Sequence, residues 1–312
     1  MRRLSLAASV VLVLTSVAAA HAEPEPDRLA QLRAAPDCRV LAFWNGQPLV
    51  ADRDGGLVLR ALDPALGFEI AGEDNALFLG LDGEASVWAV ELGGDADPAE
   101  GPLQGRGRFT DLRMAGGQLS PEDAGIAATA RALFEWRRRH RFCSVCGQPS
   151  EQAEAGWKRI CPSCKAEHFP RTDPVTIMLP TFGEHCLLGR QAAWPKGRYS
   201  TLAGFMEPGE SIEAACAREV KEEAGLEVVS VRYHSSQPWP FPTNLMIGLI
   251  AEVTGQDARP DQTELEEVRW FHRDELRAVL AGNTAGWGDI GGVGVPPRFA
   301  IAHQLMKAWT EG

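Results

Sequence analysis

Apolar residues fall into two regimes along the chain. Between Val40 and Leu112 they form short runs, VLAFW, GLVLRAL, ALFLGL and ASVWAVEL, broken by Gly, Asp and Pro. Runs of this length between turn-formers predict strands, and so a small sheet-rich N-terminal domain. Residues 23–34, EPEPDRLAQLRA, read as a polar lead-in, and residues 95–107 as a loop. Ser120-Pro121-Glu122-Asp123 then marks a helix start, with an N-cap hydroxyl and Pro at the first helical position. Helical spacing through Ala127, Leu133 and Trp136 runs on into Arg137, Arg138, Arg139 and His140, where the basic cluster offsets the helix dipole.

Past Pro170 the pattern changes. Residues 175–180 and 186–190 flank Phe182-Gly183 as a hairpin. Residues 199–205, 226–234, 245–253 and 267–271 read as strands, residues after Glu210 as a long helix, and residues 297–309 as a terminal helix. Strands on both sides of one long helix predict an α/β class sandwich with a mixed sheet. The Gly-rich run 281–295 reads as a loop without phosphate-cradle spacing. No internal repeat is evident. The expected organisation is a leader over residues 1–22, an N-terminal domain over 23–119, a helix plus cysteine module over 120–169, and a catalytic domain over 170–312.

The leader has Arg2 and Arg3 ahead of an apolar run and closes on Ala20-His21-Ala22, an A-x-A site. This resembles a secretory signal peptide and is too short for a convincing membrane anchor. The formal net charge of −11 over 312 residues disfavours general nucleic-acid binding, though a small anionic substrate can bind where metal ions supply positive charge. Cys143-x-x-Cys146 and Cys161-x-x-Cys164 are separated by 14 residues, with Gly147 just beyond the first pair. Paired knuckles at this spacing read as a four-thiolate zinc site, closed and therefore structural; two disulfides are the alternative. Cys38, Cys186 and Cys216 are left over and read as buried small residues. Thiolate ligation fits a reducing compartment, so a cytoplasmic location is favoured over the export that the leader suggests.

The most informative stretch is GFMEPGESIEAACAREVKEEAGL, residues 204–226. On a helix, Glu219, Glu222 and Glu223 stand at i, i+3 and i+4, so three carboxylates share one face. A hard divalent cation reverses their mutual repulsion, because Mg²⁺ and Mn²⁺ take oxygen ligands. Arg218 reads as a carboxylate partner with a planar fork, and Glu210 as a further ligand or a helix N-terminal charge. The stretch matches the Nudix box, GX5EX7REUXEEXGU with U aliphatic, at every fixed position.

About ten residues further on stands Ser236-Gln237-Pro238-Trp239-Pro240-Phe241-Pro242. Three prolines exclude a central strand and predict a stiff loop that fixes Gln237, Trp239 and Phe241. Rigid aromatics of this kind suit stacking on a base or nicotinamide ring; packing into a core is the plainer reading. With the four cysteines upstream and the box between, the chain resembles the NADH pyrophosphatase family of Nudix hydrolases from about Asp27 to its end. Two departures stand out. The family's SQPWPFPxS closes here on Thr243 and Asn244, and its Tyr-Pro-Arg is Phe169-Pro170-Arg171.

The resemblance implies a Nudix α/β/α sandwich preceded by a zinc ribbon, and metal-dependent hydrolysis of NADH or NAD⁺ to nicotinamide mononucleotide and AMP. It also implies removal of NAD caps from RNA 5′ ends and a homodimer. By the same resemblance, Glu219, Glu223, Glu264 and the Ala203 carbonyl hold catalytic Mg²⁺ or Mn²⁺, with Glu222 a further candidate; Glu222 or Glu223 is the base. Phe169 and Phe205 would stack on the nicotinamide. Gln237, Pro238, Trp239, Pro240, Phe241, Pro242, Thr243, Asn244 and Ala302 would line the substrate site. Other Nudix substrates, such as ADP-ribose or diadenosine polyphosphates, are the nearest alternative. A catalytically silent binding module is the more distant one, disfavoured because every box carboxylate is present.

Overall fold

Two-residue turns set the N-terminal sheet. In the computed structural model, which describes residues 26–72, 75–282, 289–290 and 292–312, Asn45-Gly46 and Asp54-Gly55 all take positive φ. These are the residue types a two-residue hairpin turn demands. They join β1 (Arg39–Trp44), β2 (Gln47–Arg53) and β3 (Gly56–Leu59). After β4 (Ala61–Leu62), β5 (Ala76–Asp82) pairs with β6 (Ala85–Leu92), which runs parallel to β1. The strand order is β3-β2-β1-β6-β5, with β4 on β1 and a short β7 (Arg108–Phe109) on β2.

Helices α1 (Pro26–Ala34), α2 (Pro64–Ala71), α3 (Leu112–Ala115) and α4 (Pro121–Arg139) complete this region. Helix α4 starts as the sequence indicates: the Ser120 hydroxyl accepts the Asp123 N–H at 3.1 Å. Its buried face, including Ile126, Ala130, Leu133 and Phe134, packs with Leu41, Phe43 and Leu77 of the sheet. The supposed lead-in is instead α1, whose Leu32 is buried in a second core cluster. Strand β2 went unread because Pro48 and a polar tail break its pattern.

The cysteine module adds β8 (Glu151–Ala153), β9 (Lys158–Ile160) and β10 (Glu167–His168) in the order β10-β9-β8. It is fastened to β5. The Trp157 indole N–H donates to the Phe78 carbonyl at 2.7 Å, and Gln152 donates to the Ala76 carbonyl at 3.2 Å. Gly156, at φ 103°, lies so close to Leu77 that a Cβ would sit 2.2 Å from its Cδ2.

The described residues from Pro26 to Thr172 form one compact unit with the segment Trp239–Thr243; those of Asp173–Pro238 and Asn244–Gly312 form the other. The second unit contains β11 (Asp173–Phe182), β12 (His185–Arg190), β13 (Leu202–Phe205), α5 (Ile212–Ala224) and β14 (Val228–Trp239). It continues through β15 (Asn244–Val253), β16 (Glu267–His272), α6 (Arg273–Gly282), β17 (Asp289–Ile290), β18 (Val293–Gly294) and α7 (Ile301–Glu311). The sheet order is β14-β15-β11-β12-β16, with β13 on β11. Strand β11 is parallel to β15 and antiparallel to β12 and β13, so the sheet is mixed.

Alternation along the central strands sorts side chains to the two faces. Met178, Leu187 and Leu249 pack with Cys216 and Val220 of α5. Leu179, Leu188 and Ile250 pack with Leu276 of α6 and Leu305 and Met306 of α7. The result is the α/β/α sandwich expected.

Three local expectations change. Ser236, Gln237, Pro238 and Trp239 are not loop but the end of β14, an edge strand, where a missing N–H is tolerated. Only the following residues turn. Helix α6 follows β16 without an intervening loop and was hidden by that junction. The Gly-rich run is partly structured, since β17 pairs with β18, while residues 283–288 and 291 lie outside the described residues. The leader also lies outside them. Among the described residues, no helix is long and apolar enough to cross a membrane.

Candidate active site

Helix α5 is fixed at both ends. The Ser211 hydroxyl accepts the Ala214 N–H at 3.2 Å, and Gly225, at φ 70°, caps the C-terminus with its N–H on the Lys221 carbonyl. This rigid helix turns Glu219 and Glu223 inward, where both are buried. Strand β13 passes directly beside Glu219. A Cβ on Gly204 would lie 1.9 Å from the Glu219 Cδ and 2.1 Å from each of its oxygens, so only glycine admits the carboxylate here.

Arg218 organises the surrounding charges. Its Nε donates to Glu210 Oε1 at 2.6 Å and one terminal nitrogen to Glu210 Oε2 at 3.0 Å, a bidentate grip. That same nitrogen reaches the Phe205 carbonyl at 2.9 Å. The other serves Glu219 at 2.8 Å and Glu222 at 2.9 Å. Glu210 also accepts the Glu207 N–H at 2.8 Å, and the Arg218 bonds with that amide hold its carboxyl down at about 2. It is therefore the partner of Arg218, with both oxygens engaged.

The three box carboxylates divide by burial: Glu219 and Glu223 are buried and Glu222 is not. Glu222 is 59% exposed at its side chain and turned to Arg218. The helical periodicity placed it on the shared face but could not register the lateral pull of Arg218. Burial pushes Glu219 up, against the counter-pull of Arg218. Glu223 rises to about 8, first from burial, then from the charges of Glu219, Glu264 and Asp261, while the Ala203 backbone amide opposes. Its Oε2 is buried with no hydrogen-bond partner. An orphaned carboxylate oxygen beside a second buried carboxylate is the donor set a hard divalent cation satisfies. Ala203, expected to offer its carbonyl, faces Glu223 with its backbone amide.

Glu264 is exposed on the loop before β16 and acts electrostatically on both Glu219 and Glu223. Two anchors that the sequence reading missed set this loop. The Asp261 carboxylate accepts N–H groups from Glu264 at 3.0 Å and Leu265 at 2.9 Å, a turn that the Asp-x-x-Glu spacing could have signalled. Arg190, buried in β12, pairs with Glu266 and Glu267, and the Tyr199 hydroxyl donates to Glu267 at 2.7 Å.

The expected aromatic and motif residues separate by role. Phe169 and Phe205 are 61% and 58% exposed, open rings within their own units. The Gln237 amide is engaged at both ends: it donates to the Phe299 carbonyl and accepts the Ile301 N–H, each at 2.8 Å. It thus caps α7, where Ala300 has no side chain to do so. Trp239 and Phe241 meet edge to face at 5.3 Å, and Pro240 offers its carbonyl to Arg131. Pro238 is exposed and Pro242 half-buried. Thr243 is buried, and the Asn244 Oδ1 is buried without a partner. The Ala302 methyl is packed in the α7 core, so its side chain is not a surface contact. In α4, Arg138 and Arg139 are tied to Glu135.

The four cysteine sulfurs lie within 4.8 Å of one another, the only metal-binding groups gathered this tightly in threes or more among the described residues. Cys143 and Cys164 are 3.6 Å apart and Cys146 and Cys161 3.5 Å. A tetrahedron of ~2.3 Å Zn–S bonds has edges of ~3.8 Å, so the sulfurs fit zinc. None is in a disulfide. Cys38, Cys186 and Cys216 are buried, as read from the sequence.

Three outcomes follow. Gly204→Ala should displace Glu219 and lower turnover by about 100-fold, the order of cost of a 1 Å misplacement, with zinc content unchanged; steady-state kinetics and a metal assay check both. The purified chain should carry one zinc per molecule, released when Cys161 is changed to Ser; elemental analysis decides between zinc and an empty thiol cluster. Thermal melts of metal-free chain test the Glu223 carboxyl, whose folded value near 8 exceeds the ordinary 4.5. The native state keeps that proton longer, so its stabilisation is complete below about pH 4.5 and lost as pH rises through about 8. Added Mg²⁺ should raise the melting temperature more at pH 9 than at pH 6.

Family models match this architecture from residue 38 to residue 287. An NADH pyrophosphatase-like rudimentary NUDIX domain matches residues 38–136, an NADH pyrophosphatase zinc ribbon domain residues 138–169, and a NUDIX domain residues 170–287. The human mitochondrial protein named NAD(P)H pyrophosphatase NUDT13 is 39% identical over 289 residues, covering 84% of this chain and 79% of its own length. The NAD-capped RNA hydrolase NudC of Mycobacterium bovis is 37% identical over 294 residues, covering 91% and 92%. Human NAD-capped RNA hydrolase NUDT12 is 44% identical over 204 residues, and the chain spans 43% of its length. The chain belongs to the NADH pyrophosphatase family of Nudix hydrolases.

Proposed function

We propose that the chain hydrolyses the pyrophosphate bond of NADH and NAD⁺, giving nicotinamide mononucleotide and AMP, and that it also takes NAD-capped RNA 5′ ends. The observation that carries this reading is the buried pair Glu219 and Glu223: Glu219 is seated against Gly204 and braced by Arg218, and Glu223 has one oxygen unsatisfied. The names of the relatives point to the same substrates.

Glu219, Glu223, Glu264 and the Ala203 carbonyl would hold Mg²⁺ or Mn²⁺. When bound, the cation neutralises pyrophosphate charge and makes its water more acidic. Arg218 keeps Glu219 oriented and Glu222 drawn away. Of the two base candidates, Glu223 is favoured, because Glu222 is exposed and committed to Arg218. Phe169 and Phe205 offer open rings for the nicotinamide. Zinc in the ribbon is structural, since four sulfurs leave no open position. The reduced thiols suit a cytoplasmic setting, and a homodimer is the assembly taken over from the family.

The test is product analysis of the full chain with NADH and either Mg²⁺ or Mn²⁺, alongside Glu223→Gln. AMP and reduced nicotinamide mononucleotide should form, with turnover in the variant lower by about two orders of magnitude or more. Cleavage of ADP-ribose but not NADH would redirect the substrate reading, and near-normal activity in the variant would remove Glu223 from the chemistry.

A further inference from the structure

The four sulfurs of the ribbon differ in what faces them. Cys146 and Cys164 are exposed, so water can hydrate them, whereas Cys143 and Cys161 are buried. Four thiolates around one Zn²⁺ carry surplus negative charge, and a buried sulfur can shed its share only to N–H groups of the protein. The second knuckle supplies Cys161 from its own backbone, through the amides of Cys164 and Ser163. The first knuckle supplies Cys143 with the Val145 N–H at 3.4 Å. A further donor comes from a residue distant in sequence: His168 Nε2 lies 3.3 Å from the Cys143 sulfur. Strand pairing puts it there. Strands β9 and β10 flank the second knuckle, with His168 opposite Arg159, and Lys158 pairs with Glu167 at 2.8 Å. The residue that follows the second knuckle is thereby returned to the first, 25 positions away.

The imidazole is not among the gathered ligand atoms, so it does not stand in for a thiolate. A zinc-bound thiolate has no proton to give, which makes the imidazole N–H the donor. We propose that His168 is a positioning residue for the ribbon zinc: its Nε2–H donates to the Cys143 thiolate, takes up charge from that buried sulfur, and latches the first knuckle to the strand after the second, so that the metal is retained. Partners of this kind, one shell out from the metal, hold the ligands in place and set how tightly the ion is bound. The inference rests on the reading of the four thiolates as a zinc site.

The test loads the full chain and its His168→Phe and His168→Gln variants with zinc and follows metal release to a chromogenic chelator. The same chains are loaded with Co²⁺, whose sulfur-to-metal charge-transfer band reports the electron density on the thiolates. Phenylalanine keeps a ring and removes the donor; glutamine keeps an amide N–H. His168→Phe should release zinc roughly tenfold faster, with the Co²⁺ band moved to longer wavelength, and His168→Gln should recover part of both. Unchanged release and an unchanged band in a zinc-loaded His168→Phe chain would overturn the proposal. Faster release to the same extent in both variants, with the band unchanged, would mark a packing role and overturn it as well. If His168→Phe does not fold, His168→Ala takes its place in both readouts. A wild-type chain that holds no zinc overturns both this inference and the zinc reading; a wild-type chain that holds zinc no longer than the variants do overturns the inference alone.

Discussion

The Arg218 guanidinium is the interaction on which the site depends. Bringing Glu219 and Glu223 out of water is expensive, and a buried charge survives only when it is paired and hydrogen-bonded. Arg218 supplies one half of that compensation. It binds Glu219, fixes its own place through the two oxygens of Glu210 and the Phe205 carbonyl, and draws Glu222 to the outside. Glu223 is left without an equivalent partner, and burial, followed by the charges of Glu219, Glu264 and Asp261, pushes its carboxyl up to about 8. The asymmetry is chemically useful: a fully neutralised cluster would have no need of a cation, and a cluster with no arginine would not keep two carboxylates inside.

The rest of the fold can be understood as support for that arrangement. Helix α5 is capped at Ser211 and Gly225 and packed through Cys216 and Val220, so its inward glutamates have little freedom. The glycine of β13 allows strand and carboxylate to approach closely. On the other side of the site, Asp261 and Arg190 set the loop that carries Glu264, one through backbone amides and one through a buried guanidinium. The ribbon has three short strands and little core of its own. Four thiolates and the Trp157 hydrogen bond to β5 take the place of apolar burial there.

What could be read from the sequence was whatever is encoded in spacing. The box, the cysteine knuckles and the Ser120-Pro121 helix start are local patterns whose meaning does not depend on distant residues. The central strands were legible because alternation sorts their side chains to two cores. Legibility failed where meaning is set by tertiary partners. Glu222 lies on the expected helical face, but a neighbouring arginine turns it outward. Gln237 has the chemistry of a ligand contact and is used instead at the start of α7. Arg190 and Asp261 look like ordinary surface charges until the fold brings them to the loop of Glu264. Prolines in 236–242 were read as excluding strand, yet an edge position demands no N–H from them.

Residues 237–244 also show how a segment can be made rigid with few residues. Gln237 is bonded to the backbone at 299 and 301, Pro240 and Phe241 to arginines of the N-terminal unit, and Asn244 opens β15 opposite Asp173. Most of the bonding capacity in a stretch rich in ligand-like side chains is therefore spent inside the protein. This is not wasted chemistry. A segment already in place needs no ordering when something binds it, whereas ordering a loose loop would consume part of the free energy that a contact provides. The prolines lower that ordering cost before folding, and the anchors remove what remains.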